Sequence, residues 1–168
     1  MLKKNLSEFS SVFNKLNKTW GIVTAGDRQT GLNGMTVSWG GIGVLWNKPV
    51  CFLFIRKSRY TYKFMEESKS VTLSFVSDEY KDDKIFFGNE SGRHCEKFEK
   101  TKLHAALDVD MNCYYVAEAD EVLKLQKLYG IELTYDELPV ELKDQFYAND
   151  DKHKMYVCEI KQYLVKEK

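Results

Sequence analysis

A chain of 168 residues is most naturally one domain, and this length allows about two-thirds of the unfolded surface to be buried on folding. Its 25 lysine and arginine residues balance 25 aspartate and glutamate residues, so the formal net charge is zero. A neutral chain has no net field that would hold a polyanion, which disfavours nucleic-acid binding as the main function. Residues 1–168 are therefore expected to form a single domain.

The start of the chain lacks the pattern of a targeting or membrane segment. No uninterrupted apolar stretch follows its first lysines, so we expect a cytoplasmic protein without a membrane partner. Within residues 1–18, apolar side chains recur at steps of three and four at Leu6, Phe9, Phe13 and Leu16. This spacing predicts an amphipathic helix that packs one stripe on the body of the protein or on a partner chain.

Two strands are predicted next, separated by a polar turn. The first covers Trp20–Thr24. In the second, Thr36 and Ser38 lie two residues apart and would share one face, while Met35 and Val37 would share the other. A row of small hydroxyls suits the edge of a flat heteroaromatic ring that needs hydrogen-bond partners. The alternative is a solvent-facing strand, where threonine and serine are common.

Two glycine patterns in this part of the chain do not complete a nucleotide motif. Gly26 and Gly31 have the spacing of a phosphate loop, but its lysine and hydroxyl residue do not follow. Gly41 and Gly43 open a dinucleotide-binding pattern, but Trp46 stands at the position of the third glycine. The sequence thus excludes a Rossmann site, and a nicotinamide cofactor would have to bind without that module.

A buried strand and a helix are predicted around the next basic cluster. Val50–Ile55 is a continuous apolar run of β-branched and aromatic residues, typical of a strand buried on both faces. Ser58 is placed to cap a helix over residues 59–68. Arg59 would then lie in the first helical turn, where a cation opposes the helix dipole.

An anion at that position would reverse this unfavourable interaction. Arg56, Ser58, Arg59 and Thr61 together offer two guanidinium groups and two hydroxyls to one phosphate. We therefore interpret the cluster as a phosphate site. The alternative is a pair of ordinary surface arginines.

The second half of the chain continues the alternation of strands and helices. Residues 71–76 predict a strand, and residues 78–87 predict a short helix that ends at Gly88. Residues 91–102 are expected to form a loop and a helix cap. The run over residues 114–128 fits a long strand, although its alanine, glutamate and lysine content also favours a helix.

The C-terminal region predicts a helix followed by a strand. Pro139 is placed as a first-turn helix residue, and Leu138, Leu142 and Phe146 step by four. Residues 155–165 form the last strand, with Tyr156, Cys158 and Ile160 on one face. Strands separated by turns, with inserted helices, predict a mainly β protein with an antiparallel barrel and peripheral helices.

The cysteines and histidines do not form a recognisable metal motif. Cys51, Cys95, Cys113 and Cys158 lie far apart, so they are expected to be reduced, with Cys51 and Cys158 inside strands as small apolar residues. Zinc-ligand spacings are also absent around His94 and Cys95, even if His104 or His153 is added. His153, just before the last strand, could approach a ligand, although a lone histidine at a strand edge is more often solvated.

Four segments, in this order and at these separations, resemble the flavin reductase-like family of FMN-binding split barrels: TWGIVTAG, NGMTVSWG, KPVCFLFIRKSRYT and SGRHCEKF. The resemblance covers residues 20–98 and is fainter in the last third of the chain. It implies a homodimer of antiparallel split β-barrels, with FMN at or near the interface. The flavin would be reduced by NADH or NADPH, or by another electron donor.

The same resemblance implies which residues border the cofactor. It puts the flavin ring beside Asn33, Thr36, Val37, Ser38 and Trp39, and the ribityl phosphate beside Arg56, Ser58, Arg59 and Thr61. It also implies that Ser91, Gly92 and Lys97 of the last segment border the site. In many relatives an aspartate stands at the position of His94.

Three functions are consistent with these features. The first is an FMN-binding oxidoreductase that passes electrons from a nicotinamide nucleotide through the flavin to a protein acceptor or to free flavin. Because this chemistry belongs to the cofactor, no catalytic side chain is required. The second is an electron carrier that holds FMN without nicotinamide turnover, and the third is a split-barrel binding module without catalysis.

Overall fold

The computed structural model describes residues 1–167, which form one large antiparallel sheet and a separate two-stranded antiparallel sheet, with short helices around them. The strands are β1 Leu2–Lys4, β2 Gly21–Asp27, β3 Gly31–Val37, β4 Gly40–Leu45, β5 Lys48–Arg56, β6 Ser70–Phe75, β7 Ala105–Asp108, β8 Cys113–Val116, β9 Glu121–Glu132 and β10 His153–Val165. The helices are α1 Val12–Asn14, α2 Thr61–Glu67, α3 Lys81–Asn89, α4 Lys97–Lys100 and α5 Val140–Tyr147. Among the helices of this described part, none has the length and apolar character needed to cross a membrane.

The large sheet curls so that its two ends meet. Its strand order is β3-β2-β6-β9-β10-β5-β4, with β1 paired to β10, and neighbouring strands are antiparallel. β3 and β4 lie at opposite ends of this order, yet only Ser38 and Trp39 separate them in the chain. Because two residues span only a few ångströms, the sheet must close on itself. The predicted mainly β, antiparallel barrel fold is confirmed.

Two apolar clusters stabilise this arrangement. The larger fills the barrel and includes Val23, Leu53, Leu73 and Leu125, all with no exposed surface. The smaller lies on the other face of the sheet, where Phe87 of α3 packs near residues from β8 and β9. Burial of such side chains contributes about 1.5–3 kcal/mol each, so these clusters are the main source of stability.

The strand predictions agree with the structure at most positions. The predicted segments 20–24, 50–55, 71–76 and 155–165 correspond to β2, β5, β6 and β10. Tyr156, Cys158 and Ile160 all belong to the core cluster, as the alternation in β10 predicts. The segment 114–128 is strand rather than helix, but a turn divides it between β8 and β9.

The prediction of one amphipathic helix over residues 1–18 is wrong. That region begins with β1, forms a 3-10 turn at Leu6–Glu8, and becomes helical only over Val12–Thr19. Phe13, which the helical pattern assigned to the packed stripe, is 90% exposed. The break occurs because Asn5 caps the 3-10 turn and the chain leaves it in an extended conformation at Phe9.

The helix predicted over residues 59–68 begins later than expected. α2 starts at Thr61 with Tyr60 at its cap position, so Ser58 is not the N-cap and Arg59 lies before the helix. The helix predicted over 78–87 is a 3-10 turn at Asp78–Tyr80 followed by α3. Gly88 lies inside α3 rather than after it.

Candidate functional site

A cleft opens where the two ends of the sheet meet. Its volume is about 280 Å³, and it is lined by Met35, Thr36, Val37, Ser38, Trp39, Phe54, Arg56, Arg59, Gly88 and His153. The end of β3 forms one wall, and the end of β5 forms the other. The cleft therefore exists only because the barrel closes at this point.

The alternation predicted for β3 is confirmed. Met35 and Val37 belong to the barrel core, while Thr36 and Ser38 are partly exposed on the cleft side. The Thr36 hydroxyl donates a hydrogen bond to the carbonyl oxygen of Lys84 at 2.5 Å. One of the two predicted ring-edge hydroxyls thus also joins β3 to α3.

Trp39 forms an aromatic wall of the cleft and belongs to neither apolar cluster. Its side chain is 41% exposed. The indole ring lies 5.2 Å from the ring of Phe146, edge to face, and 5.0 Å from the imidazole of His153. Such a wall can contact the face of a flat ligand.

His153 is buried in this wall, so its predicted exposure to solvent is wrong. It pairs with Arg56 in the register of β10 and β5, which brings the start of one strand to the end of the other. Its Nδ1 lies 3.0 Å from the hydroxyl of Tyr147. Burial, and secondly the Arg56 guanidinium, lower the pKa of His153 to about 4. The imidazole is therefore neutral at pH 7.

Arg56 lines the cleft and also anchors the segment between α5 and β10. Its Nη1 donates to the carbonyl oxygen of Asp151 at 2.6 Å, and its Nη2 donates to that of Phe146 at 2.9 Å. The carboxylate of Asp151 lies 3.8 Å from the same guanidinium. Arg56 therefore positions Phe146 and, through the loop, the Trp39 wall.

A second cavity of about 180 Å³ lies beside the cleft, and Arg59 lines both. The second cavity is lined by Asn33, Ser58, Arg59, Tyr60, Thr61, Asn89, Glu90, Ser91, Gly92, Arg93 and Lys97. The guanidinium of Arg59 donates to the carbonyl oxygen of Gly88, which is part of the cleft lining. Arg59 thus stands between the two spaces.

The hydroxyls predicted to bind a phosphate differ in their availability. The Thr61 hydroxyl accepts a 2.7 Å hydrogen bond from the side-chain amide of Asn33, and both residues are buried. Its own proton remains available for donation. The Ser58 hydroxyl instead donates to the carboxylate of Asp151 at 2.7 Å. The expectation that Ser58 offers a free hydroxyl is therefore not met.

Lys97 is a buried cation at the base of the second cavity. Its ammonium donates to the carbonyl oxygens of Gly34 at 3.0 Å and Phe87 at 2.9 Å. Burial, and secondly Arg59, lower the pKa of Lys97 to about 8. The ammonium is still mostly protonated at pH 7.

All twelve residues predicted to border the cofactor line one of these two cavities. The structure also adds Tyr60 and Arg93, which the predictions omitted, and His153, for which an approach to a ligand was one of two alternatives. Arg93 and Tyr60 each lie next to a predicted residue in the sequence, whereas only strand pairing brings His153 to the site. His94 is exposed and lines neither cavity. Across the described residues, no cluster of three or more His, Cys, Asp or Glu side chains is arranged to hold a metal ion.

The two cavities suit a ligand with a flat part and an anionic part. The cleft offers an aromatic wall and small polar groups, while the second cavity offers cations and amide or hydroxyl groups. A neutral histidine and arginines held by carbonyl oxygens are suited to binding and orientation. They do not form an activated nucleophile with its base.

Comparison with known proteins points in the same direction. The family described as flavin reductase like domain matches residues 13–168 of this chain. Among curated proteins, none matches the sequence.

Solved structures share the fold at low sequence identity. Flavoredoxin of Desulfovibrio vulgaris (Miyazaki F) is 23% identical with a TM-score of 0.71, covering 99% of this chain and 78% of its own. A split barrel domain protein from Shewanella frigidimarina is 17% identical with a TM-score of 0.71, covering 89% and 68%. The NADH:FAD oxidoreductase SgcE6 of Streptomyces globisporus is 14% identical with a TM-score of 0.67, covering 92% and 80%.

Proposed function

The chain belongs to the flavin reductase-like domain family, and from this membership and the two cavities we propose that it binds FMN and passes electrons from NADH or NADPH to an acceptor. The phosphate would lie in the cavity of Asn33, Thr61 and Lys97. The flavin ring would lie in the cleft beside Thr36 and Trp39.

The observation that carries this proposal is the placement of buried and half-buried cations, Lys97 and Arg59, at the second cavity. Burial is the main cause that lowers the pKa of Arg59; Asp151 raises this pKa, and Arg56 lowers it to a smaller extent. Burial, and secondly Arg59, also lower the pKa of Lys97, because both make its charged form less stable. An anion bound among these groups would relieve their repulsion and restore lost solvation, as a phosphate dianion does. The residues present therefore fit the phosphate of FMN.

The cleft fits the ring for a separate reason. Its volume of about 280 Å³ lies just below the range of about 300–1,000 Å³ typical of ligand pockets, but the second cavity of about 180 Å³ lies next to it across Arg59. Trp39 and His153 would contact the ring and exclude water from one side. Ser38 would donate or accept a hydrogen bond at its edge.

When bound, FMN supplies the hydride and electron-transfer chemistry that amino-acid side chains lack. The side chains of this chain then bind, orient and insulate it. Arg59 and Lys97 hold the charged end, and Arg56 keeps Phe146 and the Trp39 wall in place through the carbonyl contacts of the α5–β10 loop.

We also propose that two copies of the chain associate through the outer face of the barrel. Phe54, Met155 and Ile131 lie side by side across β5, β10 and β9. They face away from the core because the alternate residues, such as Ile55 and Tyr156, lie inside it.

Two features support a second copy as the occupant of this face. Ile131 is 44% exposed although it is a large apolar residue, which is typical of an interaction surface when neighbours share that character. Phe54 also lines the cleft, so the face is continuous with the proposed flavin site.

A second candidate function is electron transfer by a resident flavin without nicotinamide turnover. The similarity in fold to the flavoredoxin from Desulfovibrio vulgaris, at 23% identity, supports this second function. The two candidates bind the same cofactor and differ in whether NADH or NADPH is consumed.

One experiment tests the proposal and separates the candidates. The purified protein is incubated with FMN, freed of unbound flavin, and its visible spectrum is recorded before and after anaerobic addition of NADH or NADPH. We expect a bound flavin spectrum that bleaches with either nucleotide. A flavin that stays oxidised with both nucleotides but is reduced by dithionite supports the carrier. Absence of any retained flavin contradicts both.

A further inference from the structure

A groove adjoins the flavin cleft at Ser38 and Trp39, which line both spaces. Its volume is about 540 Å³, which lies within the range typical of sites for small organic molecules. Besides these two residues, its lining consists mainly of Val12, Phe13, Leu16, Asn17 and Ile42. We call this space the apolar groove.

The lining of the apolar groove is uncharged, although charged residues make up 30% of the chain. Of its nine residues in the described part of the chain, none is ionisable. The flavin cleft and the second cavity, in contrast, both contain Arg59. The amide of Asn17 and the hydroxyl of Ser38 can each donate a hydrogen bond. A charged ligand would have no partner in this groove, whereas an uncharged apolar molecule with acceptor oxygens suits its lining.

The floor of the apolar groove belongs to the barrel core, while its aromatic side chains are exposed. Leu16 is buried, and Val12 and Ile42 pack against the same core cluster. Phe13 and Trp39 are exposed large apolar residues, and they come from the two chain segments that form the groove. Aromatic faces bind flat ring systems. An apolar floor with two exposed aromatic side chains therefore favours a flat aromatic ligand.

The helical segment that supplies four of the nine lining residues has an uncommon backbone. Lys15–Thr19 is wound as a π-helix, a rare conformation that is frequent at functional sites. Ser11 and Trp20, at the two ends of the helical segment, have φ values of 59° and 60°. Such values are unfavourable for residues other than glycine and concentrate at binding sites. The strained winding carries Leu16 and Asn17, which both line the groove.

We propose that the apolar groove binds a quinone, a flat and uncharged ring system with carbonyl oxygens, as the electron acceptor of the flavin. This inference rests on the proposed flavin function. The quinone ring would contact Phe13 and Trp39, and a carbonyl oxygen would accept a hydrogen bond from Asn17. Because Ser38 and Trp39 line both spaces, the quinone would lie next to the flavin site. The quinone takes up two electrons and two protons to become a hydroquinone, and the reduced flavin supplies both and returns to its oxidised form.

The first test measures binding without turnover. The full chain, with and without saturating FMN, is dialysed against 2,3-dimethyl-1,4-naphthoquinone, whose ring carbons are blocked against reaction with thiols. We expect one quinone to bind per chain in both states. Loss of the quinone when FMN is added would place it in the flavin cleft and overturn the inference, as would absence of binding in both states. If the chain retains no FMN, the proposed function fails and the acceptor role fails with it, even when the quinone binds.

Asn17→Asp and Phe13→Ala test the lining. Both residues are exposed, so the fold should be kept, which circular dichroism checks. We expect each variant to bind the quinone about tenfold more weakly, because the first replaces a donor by a charge and the second removes an aromatic contact. Asn14→Asp places the same charge on an exposed residue of α1 outside the lining and should leave the affinity unchanged. Unchanged affinity in either folded groove variant overturns the inference. A lower molar mass of Phe13→Ala in solution would identify the groove as an interface between copies and also overturn it.

The second test concerns the acceptor role. Bound FMN is reduced anaerobically with dithionite, and its reoxidation by the same quinone is followed through the flavin absorbance. We expect a rate that saturates with quinone concentration, and Asn17→Asp should raise the half-saturating concentration about tenfold at an unchanged maximal rate. A rate that rises linearly and is the same in Asn17→Asp would show that the quinone reacts without the groove, and it would overturn the acceptor role.

Discussion

At the scale of single residues, the ability of the site to bind a ligand depends on which polar side chains already have a hydrogen-bond partner within the protein. The Thr36 and Ser58 hydroxyls donate to groups far away in the sequence, Lys84 and Asp151. The Thr61 hydroxyl accepts from Asn33 and can still donate its proton, and the Arg59 guanidinium has N–H groups beyond the one that donates to Gly88. We therefore regard Arg59 and Thr61 as more important for phosphate binding than Ser58.

Replacement of Arg59 should separate the phosphate from the ring. Arg59→Ala is expected to weaken FMN binding by about ten- to a hundredfold, because a charge-assisted hydrogen bond contributes about 1.5–3 kcal/mol. Riboflavin, which lacks the phosphate, should lose little affinity. Isothermal titration of both flavins measures the two effects. Arg28→Ala, an exposed arginine outside the cavity linings, serves as the control. Equal losses for FMN and riboflavin would contradict the phosphate assignment.

At the scale of elements, the start of β10 and the end of α5 form one unit around the cleft. Arg56 of β5 binds the carbonyl groups of Phe146 and Asp151, and His153 contacts Tyr147. Because His153 is neutral and buried in this unit, its protonation must disrupt the packing. The folded structure of this unit should therefore lose stability in acid.

The pKa of His153 sets the pH window of that sensitivity. Its value of about 4 in the folded protein lies below the ordinary value of 6.5, so between these limits the unfolded chain binds the proton and the folded chain does not. This contribution to the free energy of unfolding is complete above pH 6.5 and is lost as the pH falls toward 4, by up to about 3 kcal/mol.

His153→Gln keeps an amide for contact with Tyr147 but does not titrate, so it should lose less stability than the unmodified protein between pH 6.5 and 4. Urea unfolding at several pH values in this window measures the difference. The exposed His94→Gln provides a matched control, and it should follow the unmodified protein. If His153→Gln and His94→Gln show the same pH dependence, the buried neutral state of His153 is wrong.

At the scale of the whole molecule, barrel closure creates the cleft, and the pairing of β5, β10 and β9 creates the face proposed for association beside it. β3 and β4 meet through Ser38 and Trp39, and Phe54 of β5, which lines the cleft with these two residues, begins the row that ends at Ile131. A second copy on this face would therefore lie close to the flavin cleft. Loss of association should then affect flavin binding as well.

The association is tested by placing a charge on the proposed face. Ile131→Glu should raise the dimer dissociation constant by at least about tenfold, because a carboxylate without a partner is costly to bury in an interface. Light scattering coupled to size exclusion, over a range of protein concentrations, measures the change. Val109→Glu introduces the same charge at another exposed β-branched residue, between β7 and β8, and should leave the mass unchanged. A monomeric unmodified protein would contradict the proposal.

Local patterns in the sequence were sufficient for much of this structure. The apolar alternation in β10 predicts which of its residues enter the core, and the spacing of Thr36 and Ser38 predicts their shared cleft face. These properties depend on the period of a strand, which is set by neighbouring residues. Resemblance to a family added the twelve residues that line the two cavities, although their role in binding stays a prediction.

Other features were decided only by the tertiary structure. His153 is buried because β10 pairs with β5 and places it beside Arg56, 97 positions earlier in the chain. Asp151 binds Ser58 for the same reason, and Phe13 stays exposed because the first residues form a strand and a 3-10 turn before the helix. Contacts between distant segments leave no periodic trace in the sequence, since they depend on strand register and closure of the sheet. The sequence alone therefore indicated the residues of the site, whereas folding decided which of them remain free to bind a ligand.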